Sequence, residues 1–433
     1  MCALAVRVDG RRPLSARCRY LQSRCKEVVG SDSIGGNDAG ACHIELVAEA
    51  RDIHSGALII SNGREERVTL RTVGDFADFR NPTAPCALLK CALVCLGLVP
   101  SVACTDPLDK RSLKPYLLKF CSGYGKNYPC DKDVILELVS TSLLPRGSGM
   151  GTSSILGGCI LAAIGACVGR NVAGTKVVDA GGDIVDTIVG KDPDRIVSAV
   201  LRLEQLLSSG GGWQDPVGGL VGGLKLGLSQ AGIIPPHTTV RILDLPHAAS
   251  QDLDKRLVLA FTGKPRLARD VLRNVVRGWA RRDYRIVETV RQLVADAWRC
   301  TDEIGKKGLG SLGDCLLRYR SNKISMAGGR TSGAEPSNIT LVIDKLKEDG
   351  IINGGVLCGA GGGGFLALLT AAEYNGDART AVESSQDAEL KEAAADFIWY
   401  NCSVEQEGLR VEIEETNNHN TRDLSSFCLK WHM

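Results

Sequence analysis

Residues 144–162 read LPRGSGMGTSSILGGCILA, and the rest of the chain can be placed from them. A run with strand character, VILELVSTSL, precedes them at 134–143, and a small, apolar run of helical length follows. Between the two, Gly147, Gly149 and Gly151 alternate with Ser148 and Met150 and close on Thr152, Ser153 and Ser154. Strand, glycine loop and helix start, in that order, make an anion site. Glycine lets the backbone approach a phosphate, the first helical N–H groups lack partners, and the helix dipole favours negative charge. The hydroxyls can cap the helix or help hold a cation that bridges phosphates. No lysine stands before them, so this is not the Gly-x-x-x-x-Gly-Lys-Ser loop, and a tight structural turn is the competing reading.

Two more glycine-rich segments carry candidate chemistry. GGGWQDPVGG at 210–219 puts Asp215 on a glycine loop, where its carboxylate can accept the proton of an attacking hydroxyl or merely cap a turn before Pro216. Glu204 lies eleven positions earlier, at the edge of an apolar helical seam, as a solvated boundary residue or as a ligand for a hard cation. CGAGGGG at 358–364 precedes the apolar run 365–370, a flexible loop or a place where backbone approaches a ligand. Lys264 and Arg266 follow a strand-like run, in position to meet phosphate or sugar. Arg269, Arg273, Arg277 and Arg281 recur every fourth residue, the pattern of a solvated helix face.

The three glycine segments together resemble those of the GHMP kinases. The stretch from Pro145 to Ser154 is similar to that family's Pro…Gly-Leu-Gly-Ser-Ser motif, with Met150 for the Leu and Thr152 for the first Ser. The wording is nearest to the kinase domain of the fucokinases, and the 261–266 segment is also similar to bacterial heptose-phosphate kinases. The resemblance implies an α+β fold with a ribosomal-protein-S5-like N-terminal lobe and a ferredoxin-like C-terminal lobe. It implies ATP held by Pro145, Gly147, Ser148, Gly149, Gly151, Thr152, Ser153 and Ser154, with Gly359, Gly361, Gly362 and Gly363 alongside. Mg²⁺ would sit on Ser153 and Glu204, and Asp215 would be the catalytic base. Trp213, Gln214, Lys264 and Arg266 are the candidate sugar contacts. The implied reaction is phosphorylation of the anomeric hydroxyl of L-fucose, giving fucose 1-phosphate for salvage towards GDP-fucose. A heptose-phosphate kinase and a non-catalytic ATP-binding remnant are the alternatives. The remnant draws on one departure: the family's first motif belongs just upstream of Ala3, so a truncated chain or lost sugar binding is expected.

Composition narrows the field further. The 433 residues are enough for two or three lobes with a large core, and a formal charge of +2 gives no strong pull towards nucleic acid or an acidic membrane. Two apolar stretches, 86–104 and 151–169, fall short of the ~20 strongly apolar residues of a membrane span. The 17 cysteines show no Cys-x-x-Cys spacing, and no secretory signal precedes them, so a reducing cytoplasm is expected. The six histidines form no ligand pair at helical spacing.

Periodicity assigns the remaining elements. Strands are expected at 4–10, 43–48, 57–61 and 67–72, the last two as a hairpin turning at Asn62 and Gly63. A helix is expected at 87–98, then a polar connector at 106–133. Residues 171–193 read as a surface insertion. A helix from Asp194 shows Ile196, Val200, Leu203 and Leu207 on one face and ends at Gly210. Strands at 223–228, 239–245 and 257–262 precede helices over 267–319, broken near 305–310, and another helix at 336–348. A single helix at 381–397 and a strand at 409–413 come last. The expected lobes are 1–230 and 231–415, with a loose polar tail at 416–433.

Overall fold

The structure is a computed structural model, and it describes residues 2–4, 6–7, 18–19, 43–48, 58–62, 66–121, 136–141, 148–167, 176–178, 184–186, 194–208, 211–230, 232, 236–263, 268–406, 408–412, 414–415, 427–429 and 431–432. The strand before the first glycine loop, Leu136–Thr141, lies inside a six-stranded sheet. It is antiparallel to His43–Ala48 and parallel to Leu58–Asn62, which pairs in turn with Glu66–Leu70 as the expected hairpin. A four-stranded antiparallel sheet runs Ile352–Leu357, Phe365–Thr370, Leu257–Phe261, Ile398–Asn401. Cys2–Leu4, Leu224–Ser229 and Thr238–Ile242 form a third, smaller sheet. Sheets of mixed strand order together with long helices make the α+β architecture expected from the sequence.

The glycine-loop helix, Thr152–Cys167, is apolar all round, and every residue from Ser154 to Gly165 is buried. A helix with no polar face belongs in the middle of a core. Ile155, Ile160, Leu161 and Ile164 pack there with Leu93, Val200, Leu203, Val217 and Leu220 in one cluster. Each such side chain contributes about 1.5–3 kcal/mol when taken from water. Two further clusters lie on the four-stranded sheet, around Phe261, Phe365 and Tyr400 and around Ile343, Leu346 and Leu366. Among the described residues no helix is long and apolar enough to cross a membrane.

Several expectations are corrected. The connector at 106–133 contains a helix, Lys114–Cys121. A further helix, His247–Arg256, leads into Leu257–Phe261. The single helix at 381–397 is two, Ala378–Ser384 and Ala388–Ala393, each started by an aspartate that accepts backbone N–H bonds (Asp377 and Asp387), and the strand Ile398–Asn401 follows. Those aspartates are N-caps that interrupt an otherwise continuous helical composition. Within 171–193 lie two short strands, Lys176–Val178 and Ile184–Asp186, the first parallel to Arg410–Glu412. The polar end also contributes a strand, Phe427–Leu429, antiparallel to His43–Ala48.

Candidate active site

Two glycines inside the glycine-loop helix decide what comes near its start. A Cβ on Gly158 would stand 2.5 Å from Leu220 Cδ1, and one on Gly157 would stand 3.3 Å from Leu203 Cδ2. Their bare faces let the helices Asp194–Leu206 and Gln214–Leu220 lie close. Those two helices carry Glu204 and Asp215 to the loop.

Glu204 follows Val197, Val200 and Leu201 at helical spacing, on the face turned to the core, and is 3 % exposed. Its Oε1 accepts a hydrogen bond from Ser154 Oγ at 2.5 Å. Burial pushes its carboxyl above the usual range; the Ser154 bond opposes the shift, and the nearby charge of Asp215 adds to it. A Cβ at Gly211 would lie 1.7 Å from Glu204 Oε2, so only glycine leaves that oxygen room.

Asp215 is exposed and stands in the first turn of Gln214–Leu220, a short helix where a loop was expected. Gly151 has φ +68°, and a Cβ there would be 2.9 Å from Asp215 Cβ and 3.0 Å from its Cγ. The loop backbone therefore lies directly against the carboxylate. Ser148 Oγ and Thr152 Oγ1 are 2.9 Å apart, which closes the loop onto the helix start.

The third glycine segment joins the first. Phe365 N–H donates to the Ser148 carbonyl at 2.9 Å, and Thr262 N–H donates to the Gly364 carbonyl at 2.9 Å. Gly359, Gly361, Gly362, Gly363 and Gly364 all have positive φ, a run that side-chain-bearing residues would not adopt together.

The structure therefore brings together Ser148, Gly149, Gly151, Thr152, Ser154, Glu204 and Asp215, with the third segment alongside. Ser153 is exposed, and the hydroxyl on Glu204 belongs to Ser154. Trp213 packs its ring on strand Leu224–Ser229, where a Cβ at Gly227 would be 2.8 Å from it, and Gln214 is exposed. Pro145, Gly147, Lys264 and Arg266 lie outside the described residues. Arg273, Arg277 and Arg281 are exposed, as a solvated stripe requires. Neither Ser154 as the partner of Glu204 nor the space at Gly211 was read from the sequence. The apolar register of 197, 200 and 201 was the available signal for Glu204 facing inward.

The GHMP resemblance implies a magnesium ion, and the donors suit one: a carboxylate and neighbouring hydroxyls, all hard oxygens, at the positive end of a helix. The Ser154 hydroxyl holds Oε1, and the bare face of Gly211 leaves Oε2 room beside it. Among the described residues no group of three His, Cys, Asp or Glu could hold an ion alone, so phosphate and water oxygens would complete the shell.

No family model matches the chain. It is 34 % identical over 271 residues to the bifunctional fucokinase/GDP-fucose pyrophosphorylase of Arabidopsis thaliana, covering 62 % of this chain and 22 % of that protein. It is 27 % identical over 324 residues to the L-fucokinase/L-fucose-1-P guanylyltransferase of Bacteroides fragilis, covering 75 % of this chain and 30 % of that protein. The chain thus spans under a third of the length of these relatives. A mevalonate kinase crystal structure superposes with a TM-score of 0.51 at 13 % identity, over 85 % of this chain and 90 % of that one. The sequence matches fall on fucokinases and the fold is that of a GHMP kinase.

Proposed function

We propose that this chain is an ATP-dependent sugar kinase of the fucokinase type, which transfers the γ-phosphoryl group to the anomeric hydroxyl of L-fucose. One observation carries the reading: Gly151 of the phosphate loop lies against Asp215, while Glu204 is bonded to Ser154 on the same helix. Three segments distant in sequence meet at one helix start. The fucokinase matches support the choice of sugar.

The loop around Gly149 and Gly151 and the N–H groups at the start of Thr152–Cys167 bind the phosphates and neutralise their charge. Ser153 and Glu204 would hold Mg²⁺, which would supply charge neutralisation at the phosphate oxygens. Asp215 accepts the proton of the sugar hydroxyl at a carboxylate oxygen as that hydroxyl oxygen bonds to phosphorus and the bond to ADP breaks. Trp213, Gln214, Lys264 and Arg266 orient the sugar. Because the chemistry is mostly positioning, the close packing at Gly151 and Gly211 sets the rate. The ATP-binding lobe is drawn at residues 1–230 and the second lobe at 231–415, with the two sharing residues at the seam: Leu224 packs with Phe261 and Phe365, and Leu409 packs with the glycine-loop helix. The working compartment is the cytoplasm, in keeping with 17 cysteines that show no Cys-x-x-Cys spacing.

The test is a phosphorylation assay with Mg·ATP and a panel containing L-fucose and heptose 7-phosphate. Turnover of fucose to fucose 1-phosphate is expected. Turnover of the heptose phosphate alone, or of neither, would overturn the proposal.

A further inference from the structure

The helix Leu312–Ala327 carries two buried cations, one turn apart, that hold the third glycine turn from beneath. Lys323 is 3 % exposed; its Nζ donates to the Leu357 carbonyl and, at 3.1 Å, to the Gly359 carbonyl. Arg320 is 7 % exposed and donates to Glu335 through contacts of 2.6, 2.8 and 3.0 Å, and to Asp344 at 2.7 Å. Thr340 Oγ1 donates to the same Glu335 at 2.8 Å. The neighbour of Glu335, Ala334, presents its carbonyl to Gly362 N–H at 2.7 Å, and a Cβ at Gly361 would stand 2.1 Å from that carbonyl. Lys323 therefore fixes the entry to the turn, and Arg320, through Glu335 and Ala334, fixes its middle. The exit is tied to the phosphate loop by Phe365 N–H on the Ser148 carbonyl.

We propose that Lys323 and Arg320 are positioning residues, which set the third glycine turn against the phosphate loop so that its backbone faces a bound nucleotide. A trans peptide is planar, with its C=O and N–H opposed. Drawing the Gly359 carbonyl towards Lys323 therefore turns the N–H of Ala360 away from it. The N–H of Cys358 is already committed to the Phe365 carbonyl at 2.7 Å, and that of Gly362 to the Ala334 carbonyl, so Ala360 is a donor that the Lys323 contact turns outward. The ammonium also leaves a positive charge under the turn, the sign that suits a phosphate above it. Burying lysine and arginine is costly, and here each is satisfied by groups that belong to the turn or to its support.

The inference rests on the nucleotide reading of the site. Its test compares the parent chain with K323M and K323R, using KM and kcat for Mg·ATP, KM for the sugar, MgADP affinity by titration calorimetry, and thermal melts. K323M is expected to lose about tenfold or more in MgADP affinity and in kcat/KM for ATP, with the sugar KM unchanged. K323R keeps a cation but cannot seat a planar guanidinium on the same two carbonyls without moving the turn. It is expected to fold and to fall between parent and K323M, and it carries the test where K323M does not fold. Parental MgADP affinity and kcat in K323R, or in folded K323M, would overturn the inference while leaving the kinase reading intact. A parent that neither binds MgADP nor phosphorylates sugar would overturn both.

Discussion

Ser154 Oγ donates to Glu204 Oε1 at 2.5 Å across 50 positions of sequence, in the first turn of the glycine-loop helix. The adjacent hydroxyl, Ser153, faces solvent. The two neighbouring serines therefore differ in environment: Ser154 is bonded to the buried acid, and Ser153, the hydroxyl proposed to meet the nucleotide's cation, is exposed.

That division gives a first prediction. Ser154→Ala leaves a buried carboxylate without its hydroxyl donor and is expected to destabilise the fold by about 1–3 kcal/mol. Ser153→Ala, at an exposed site, should change stability by less than about 0.5 kcal/mol yet depress Mg·ATP turnover. Urea melts and steady-state kinetics on the two variants check the contrast.

The second concerns pH. The folded carboxyl of Glu204 lies above its ordinary value of 4.5, because burial penalises the charged form. The native state therefore binds a proton more tightly than the unfolded chain. Its stabilising effect is complete below about pH 4.5 and is lost as pH rises through the folded value. Glu204→Gln removes this dependence, so at neutral pH the ligand-free variant should melt higher than the parent. It should also lose Mg·ATP turnover. Melts across the acid range, with and without the substitution, measure both signs.

Gly211→Ala puts a methyl carbon 1.7 Å from where Glu204 Oε2 stands, at a position exposed to solvent. The carboxylate has to move. Turnover is expected to drop about tenfold or more while the melting midpoint shifts little, since the backbone at 211 is not in a conformation reserved for glycine.

Arg320 and Glu335 form a buried pair, with side chains 8 % and 1 % exposed. Removing one partner strands the other, which typically costs about 3–5 kcal/mol. Arg320→Met is expected to lose stability of that order, and Arg320→Met with Glu335→Met should recover part of it. Chemical denaturation of the single and double variants provides the measurement.

Much of this fold was legible in the residues. The short strand-like runs at 57–61 and 67–72, with Asn62 and Gly63 between them, announced the hairpin, whose first strand in fact carries on through Asn62, and the apolar run after Thr152 announced a core helix. Gln214–Leu220 was not legible, because glycine and proline dilute its helical signal and tertiary packing against Gly158 supplies the stability. The break at 385–387 was hidden by good helix formers on both sides, with the Asp387 cap as the cue. Within the site, a 100° step per residue separates Ser153 from Ser154, and composition does not reveal which faces inward. Lys323 and Arg320 are of types that normally sit in water, so their burial followed only from the structure.

The central claim is that the loop from Gly149 to Ser154 and the carboxylates of Glu204 and Asp215 work as one phosphoryl-transfer site. The most direct measurement is the turnover of Asp215→Asn with Mg·ATP and L-fucose, beside its MgADP affinity. Loss of the proton acceptor should lower kcat by about 10²–10⁴-fold with nucleotide binding retained. Undiminished turnover in the variant would contradict the account.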